Sequence, residues 1–210
     1  MASQNQLPIA IPKDLPQMEE EINFSERAQW LRAAVLGAND GLVTIAALIL
    51  GVGALKHDAQ AIILAGFAGL FAGACSMAIG EFVSVYTQLD IERAQIKREK
   101  ATMAGNGGAE EAEREALPNP WQAAAASAIA FSLGAVLPLL AAAFVEDHRV
   151  RQGVVVAATT AGLVGFGGVG AVLGRTKVVR SCVRVVVGGW MAMAITFGPI
   201  KLLGSSGFEM

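Results

Sequence analysis

Five stretches of this chain, 30–55, 59–86, 121–145, 154–174 and 182–203, are each apolar and long enough to cross a bilayer, and nothing else in the sequence restricts the fold so much. About twenty helical residues rise roughly 30 Å, the thickness of a hydrocarbon core. Water is absent there, so a lipid-facing segment must satisfy its own backbone amides, and runs of this length do so as α-helices. Composition agrees: 54% of the 210 residues are hydrophobic, 16% are charged and 24 are glycine, more apolar than an ordinary soluble domain. The expected fold is all-α, a polytopic membrane protein with five transmembrane helices. An odd number of spans puts the termini on opposite sides.

The runs divide the chain into a polar, Pro-punctuated leader (1–25), a five-helix membrane domain (26–203) holding a short connector at 89–120, and a tail (204–210). The first run starts too far from Met1, behind Glu19, Glu20 and Glu21, to be a cleaved secretory signal. Net charge is −2, so no nucleic-acid partner is indicated. Cys75 and Cys182 offer neither a disulfide framework nor a zinc spacing and read as small buried hydrophobes. No Ser-His or Cys-His pairing supports covalent catalysis, and both histidines, His57 and His148, fall on connections between runs; the chain is not expected to be an enzyme.

Basic residues set the orientation, because cytosolic segments carry the excess of lysine and arginine. Twelve of the 16 lie on the leader, the first-span entry, the long connector and the fourth-to-fifth connection; only Lys56, Arg149, Arg151 and Lys201 lie on the other side. The N-terminus is therefore expected in the cytosol and the C-terminus outside it.

Asp40 interrupts the first run, and a carboxylate near the midplane costs about 2.5–3.5 kcal/mol on insertion scales. Such a residue faces a cavity, a partner or an ion. It lies about 15 Å along a helix from Trp30, while Met77 lies about 14 Å above Tyr86 on the descending second span, so the two reach nearly the same depth. Gly37, Asp40, Gly41 and Thr44 share one helical face, as do Gly66, Gly69, Gly73, Met77, Gly80, Glu81, Ser84 and Gln88, a pattern that suits a pore wall between the first two spans. The small-residue faces of two first spans could also pair in a homodimer around a shared path. A carboxylate with a thioether suits a borderline ion such as Fe²⁺, whereas Mg²⁺ and Ca²⁺ take oxygen. Met77 is otherwise a packing residue, and Glu81 reads equally as a second carboxylate for the ion or as a wetted interfacial residue. Glycines at 162, 165, 167, 168, 170 and 174 make the fourth run a close-packing helix, by intramolecular contact or as a dimer seam. Pro138 and Pro199 read as kinks.

The block RAAVLGANDGLV at 32–43 followed by SMAIGEFVS at 76–84 resembles the vacuolar iron transporter family, and LPNP at 117–120 before an Ala-rich span resembles its plant nodulin-like branch. The similarity covers roughly 26–203. It implies a five-span dimer in the vacuolar membrane, with a lumenal C-terminus, that moves Fe²⁺, and in some members Mn²⁺, out of the cytosol, commonly by proton exchange. By position the family's pore aspartate and methionine fall on Asp40 and Met77; the metal is cargo, with no resident cofactor. Full-length members carry a Glu- and Met-rich cytosolic domain between spans two and three, which is here reduced to the connector with Glu92, Glu99, Met103, Glu110, Glu111, Glu113 and Glu115 around Gly105–Gly108. A solvated linker and a residual metal-collecting site both fit those residues. A transporter of another divalent metal and a non-transporting membrane scaffold are the alternatives, and Asp40→Asn separates the scaffold from the rest.

Overall fold

A computed structural model describes the backbone of residues 15–102 and 119–205 and the side chains of 31–98 and 119–204. Five helices account for nearly all of it: α1 (Leu15–Leu55), α2 (Ala59–Thr102), α3 (Pro120–Ala143), α4 (His148–Leu173) and α5 (Val178–Ser205). Each contains a segment long and apolar enough to cross a membrane, Leu31–Leu55, Ala59–Arg98, Pro120–Ala143, His148–Leu173 and Val178–Gly204. The first two helices run further than their apolar parts require. α1 begins inside the polar leader, and α2 carries the first part of the connector as helix to Thr102. Gly105–Gly108, Met103, Glu110, Glu111, Glu113 and Glu115 lie outside the described residues.

Helix starts follow from side chains that replace missing backbone acceptors. Asp58 takes the amides of Gln60 and Ala61 at 3.2 Å each, ahead of α2. Asn119 takes those of Trp121 and Gln122 ahead of α3, with Pro120 in the first turn, where its lack of an N–H costs nothing. Asp147 takes the amide of Val150 at 2.9 Å and starts α4. The buried guanidinium of Arg151 turns back onto the carbonyls of Val145 (2.8 Å) and Glu146 (3.0 Å), satisfying the α3–α4 turn. Within the spans, Ser132, Thr160 and Thr196 bond the carbonyl four residues earlier, which hides their hydroxyls from lipid. Pro138 and Pro199 both stay inside continuous helices.

α1 is the centre of the bundle. It packs on each of the other four helices, α3 most extensively, while α2 rests on α1 and α3, and α5 on α1 and α4. The apolar window of α1 is 56% buried inside the chain, against 11% for those of α2 and α5, so those two present most of their apolar surface outward. The core joins Ile45, Ala46 and Ile49 of α1 to Phe131, Ala135 and Leu139 of α3, with Val155 of α4 and Met193 of α5. In a bilayer such contacts gain little from solvent exclusion, and association depends on close fit. Glycine supplies that fit where α1 crosses α3. A Cβ on Gly41 would fall onto the carbonyl of Phe131, and one on Gly134 onto that of Ala38.

Candidate functional site

Asp40 sits in the middle of α1 and is partly exposed; its Oδ1 accepts a hydrogen bond from Thr44 Oγ1 at 2.9 Å, one turn on. Leu36 before it and Thr44 after it are also exposed. Spaced by four residues, the three form a stripe that the helices of one copy leave uncovered. Thr44 is the hydrogen-bond partner of Asp40, and no cation pairs with it, among the described residues.

The glycines beside Asp40 do something other than line that stripe. Gly37 abuts the carbonyl of Ser127, which a Cβ would approach to 2.7 Å, and Gly41 abuts Phe131. Both are sockets for α3. The expected pairing of these glycines across two copies of the first span is therefore corrected: α3 of the same chain already fills them. On α2, Gly66 receives Leu139, Gly69 receives Ile45 and Leu48, and Gly73 receives the ring of Phe131. Sequence spacing placed these glycines on one face correctly, but that face is occupied by α1 and α3. The glycine-rich helix, α4, packs inside the chain as well, with Gly162 against Leu137 and Leu42, Gly170 against Val35, and Gly167 against Cys182.

Phe131 fixes the relative height of the first two helices. Its backbone meets Gly41 and its ring meets Gly73, so these two glycines share a level. Asp40 adjoins the first, and Met77 lies one turn, about 6 Å, beyond the second. The depths of Asp40 and Met77 thus agree to about one turn, while Phe131 occupies the space between the two helices inside one copy. Met77 is partly buried and packs against the core cluster. Glu81, a turn further toward the connector, is partly exposed and has no hydrogen bond or ion pair among the described residues, and Gly80 beside it faces open space. Gln88 Nε2 donates to Glu92 Oε1 at 3.0 Å, which gives one connector carboxylate a local partner.

Among the described residues no three His, Cys, Asp or Glu side chains gather to hold a metal ion. Both cysteines are free, and Cys75, expected to be buried, is exposed on the outward side of α2; Cys182 donates to the carbonyl of Val164 at 3.5 Å. One cluster escaped the reading of the sequence. His57, on the α1–α2 turn, and His148, at the start of α4, bring their rings to 4.3 Å between centroids. Their common side of the membrane was the available signal, since both lie on connections opposite the basic segments.

A five-helix bundle whose helices are each long and apolar enough to cross a membrane, with much of its apolar surface turned outward, has the architecture of a polytopic membrane protein. The chain belongs to the VIT family, whose model matches residues 31–117 and 101–200. It is 62% identical to the Arabidopsis thaliana protein named vacuolar iron transporter homolog 3 over 98% of this chain and 97% of that one. It is 64% identical to vacuolar iron transporter homolog 1 of the same plant, over 89% and 90%, and 60% identical to vacuolar iron transporter homolog 5 of Oryza sativa subsp. japonica, over 90% and 87%.

Proposed function

We propose that the protein carries Fe²⁺, and Mn²⁺ behind it, from the cytosol into the vacuole, with Asp40, Met77 and Glu81 along the path and two copies of the chain enclosing it. The N-terminus and the connector face the cytosol in this arrangement and the C-terminus faces the lumen, a reading that the charge distribution supports. The observation that carries the reading is the uncovered stripe Leu36–Asp40–Thr44 on the most deeply packed helix. A carboxylate held there with only a hydroxyl for company costs free energy that a passing divalent cation offsets. Among the described residues one copy gathers no three-ligand set. A second copy facing the first doubles the carboxylates, which supports a dimeric path. The names of the relatives support iron as cargo.

Each residue has a separate part. Glu81, nearest the connector, attracts the hydrated ion; Asp40 balances its charge where water is scarce; and the Met77 thioether offers a donor that suits Fe²⁺ better than a harder ion. The test is metal uptake by vacuoles of metal-sensitive cells that express the chain, comparing wild type with Asp40→Ala at matched membrane abundance. Loss of uptake and of metal tolerance is the expected result. Undiminished Fe²⁺ accumulation by Asp40→Ala would remove the carboxylate from the path and leave a scaffold as the better account.

A further inference from the structure

Opposite the connector, the α1–α2 turn meets the first turn of α4 through the two histidines. The ring of His57 stands edge to face with that of His148, centroids 4.3 Å apart and planes at 86°. Gly53 faces the pair: a Cβ there would be in ordinary contact, 3.6 Å from His148 Cε1 and 3.5 Å from Gln152 Nε2. Nε2 of His148 is 3.3 Å from Gln152 Nε2, and its Nδ1 is buried without a partner. A neutral imidazole fits this pocket, because the Gln152 amide can meet Nε2 as donor or acceptor by turning over. An imidazolium does not, because it carries two N–H donors and the one on Nδ1 has no acceptor.

Burial is the first obstacle to charge on His148, and of the surrounding charges those of His57, Arg151 and Arg149 oppose it while that of Asp147 favours it. Lys56 and Asp58 flank His57, Glu146 precedes Asp147, and Lys201 lies near the end of α5, whose Gly204 packs on Leu55. The nearby carboxylates are already engaged. Asp147 caps α4, and the hydrogen bond from Val150, its largest influence, holds its carboxyl below the usual carboxylate range, so it stays ionised through the histidine range. Asp58 caps α2. His148 also stands at a helix N-terminus, where the backbone dipole opposes positive charge.

We propose that His57 and His148 form an acid-sensitive latch that pins the α1–α2 turn to α4 while the His148 ring is neutral and releases the turn when His148 is protonated. The latched geometry opposes the proton on His148, whose Nδ1 is buried without an acceptor. Because the charged form is disfavoured in the latched state, the latch contributes in full above the ordinary imidazole pKa of about 6.5 and weakens as pH falls through it. The inference rests on ring geometry and stands apart from the transport reading.

Amide hydrogen exchange on the full-length chain in lipid nanodiscs tests it without any transport measurement. The amides of Lys56, Gln60, Ala61 and Ile62, bonded to Val52, Asp58 Oδ1, Asp58 Oδ2 and the Asp58 carbonyl, report the turn. Normalised to the intrinsic rate at each pH, their protection is expected to drop severalfold, up to about tenfold, between about pH 7.5 and about pH 5.5. Amides in the middle of α3 should hold. His148→Phe keeps an edge-to-face ring and loses the titration, so its turn should stay protected at both pH values; His148→Leu, which cannot titrate either, serves if the first variant fails to fold. Constant protection in wild type, or the same acid-induced drop in a folded His148 variant, would overturn the latch.

Discussion

At the scale of single residues, identical spacing conceals different work. Gly41 and Gly80 are both helical glycines on the apolar spans, yet a methyl on Gly41 meets the Phe131 carbonyl and one on Gly80 meets nothing. Gly41→Ala should therefore destabilise the chain by about 1–3 kcal/mol through overpacking, seen as earlier unfolding in detergent, while Gly80→Ala should leave the melting temperature unchanged or raise it slightly. The i, i+4 pattern in the sequence identified a small-residue face at Gly37 and Gly41 but carried no information on its neighbour. Two first spans and a first span on α3 fit the same glycines, and only tertiary packing distinguishes them. Asp40 was legible because charge in an apolar run is costly wherever the helix goes. Met77 was legible only in depth, and its two roles separate by substitution. Asp40→Asn should abolish uptake of every divalent ion tested, whereas Met77→Leu, which keeps the volume and deletes the sulfur, should slow Fe²⁺ more than Mn²⁺ in the same vacuolar assay.

Among the elements, hydropathy located all five spans, and the misjudged ends have local causes. α4 starts at His148, six residues before the apolar run at 154, because Asp147 caps a first turn that includes Arg149 and Arg151, and a hydropathy reading excludes those charges. Its other end closes as a Schellman motif: Thr176 N–H donates to the Ala171 carbonyl at 2.8 Å and Arg175 N–H to that of Val172 at 3.2 Å. The residue in the left-handed region is Arg175, with φ at 50°, and the glycine stands one position earlier. An L-residue there carries a penalty of about 1–2 kcal/mol that glycine avoids. Arg175→Gly should accordingly raise the thermal midpoint, by an amount equivalent to about 1 kcal/mol, without altering uptake. A lower midpoint would mean that the arginine side chain contributes more than its backbone costs.

For the molecule as a whole, orientation and assembly are the open quantities, and both yield to direct labelling. A reporter fused after Met210 should be lumenal and one inserted at 105–108 cytosolic, given twelve basic residues on one side and four on the other. If two Asp40 stripes face each other, Thr44→Cys in a background without Cys75 and Cys182 should crosslink between copies, whereas Val83→Cys, exposed on α2, should not; crosslinking at Val83 alone would put the interface elsewhere. The unbroken course of α1 has a further, mechanical consequence. Its 41 residues make a rod of about 60 Å, gripped by α3 at Gly41. The arm from that grip to Leu15 measures about 39 Å and the arm to Leu55 about 21 Å, and the short arm is clamped along its length by the core through Ile45, Ile49 and Leu50, so Asp40 sits at the edge of the rod's fixed part.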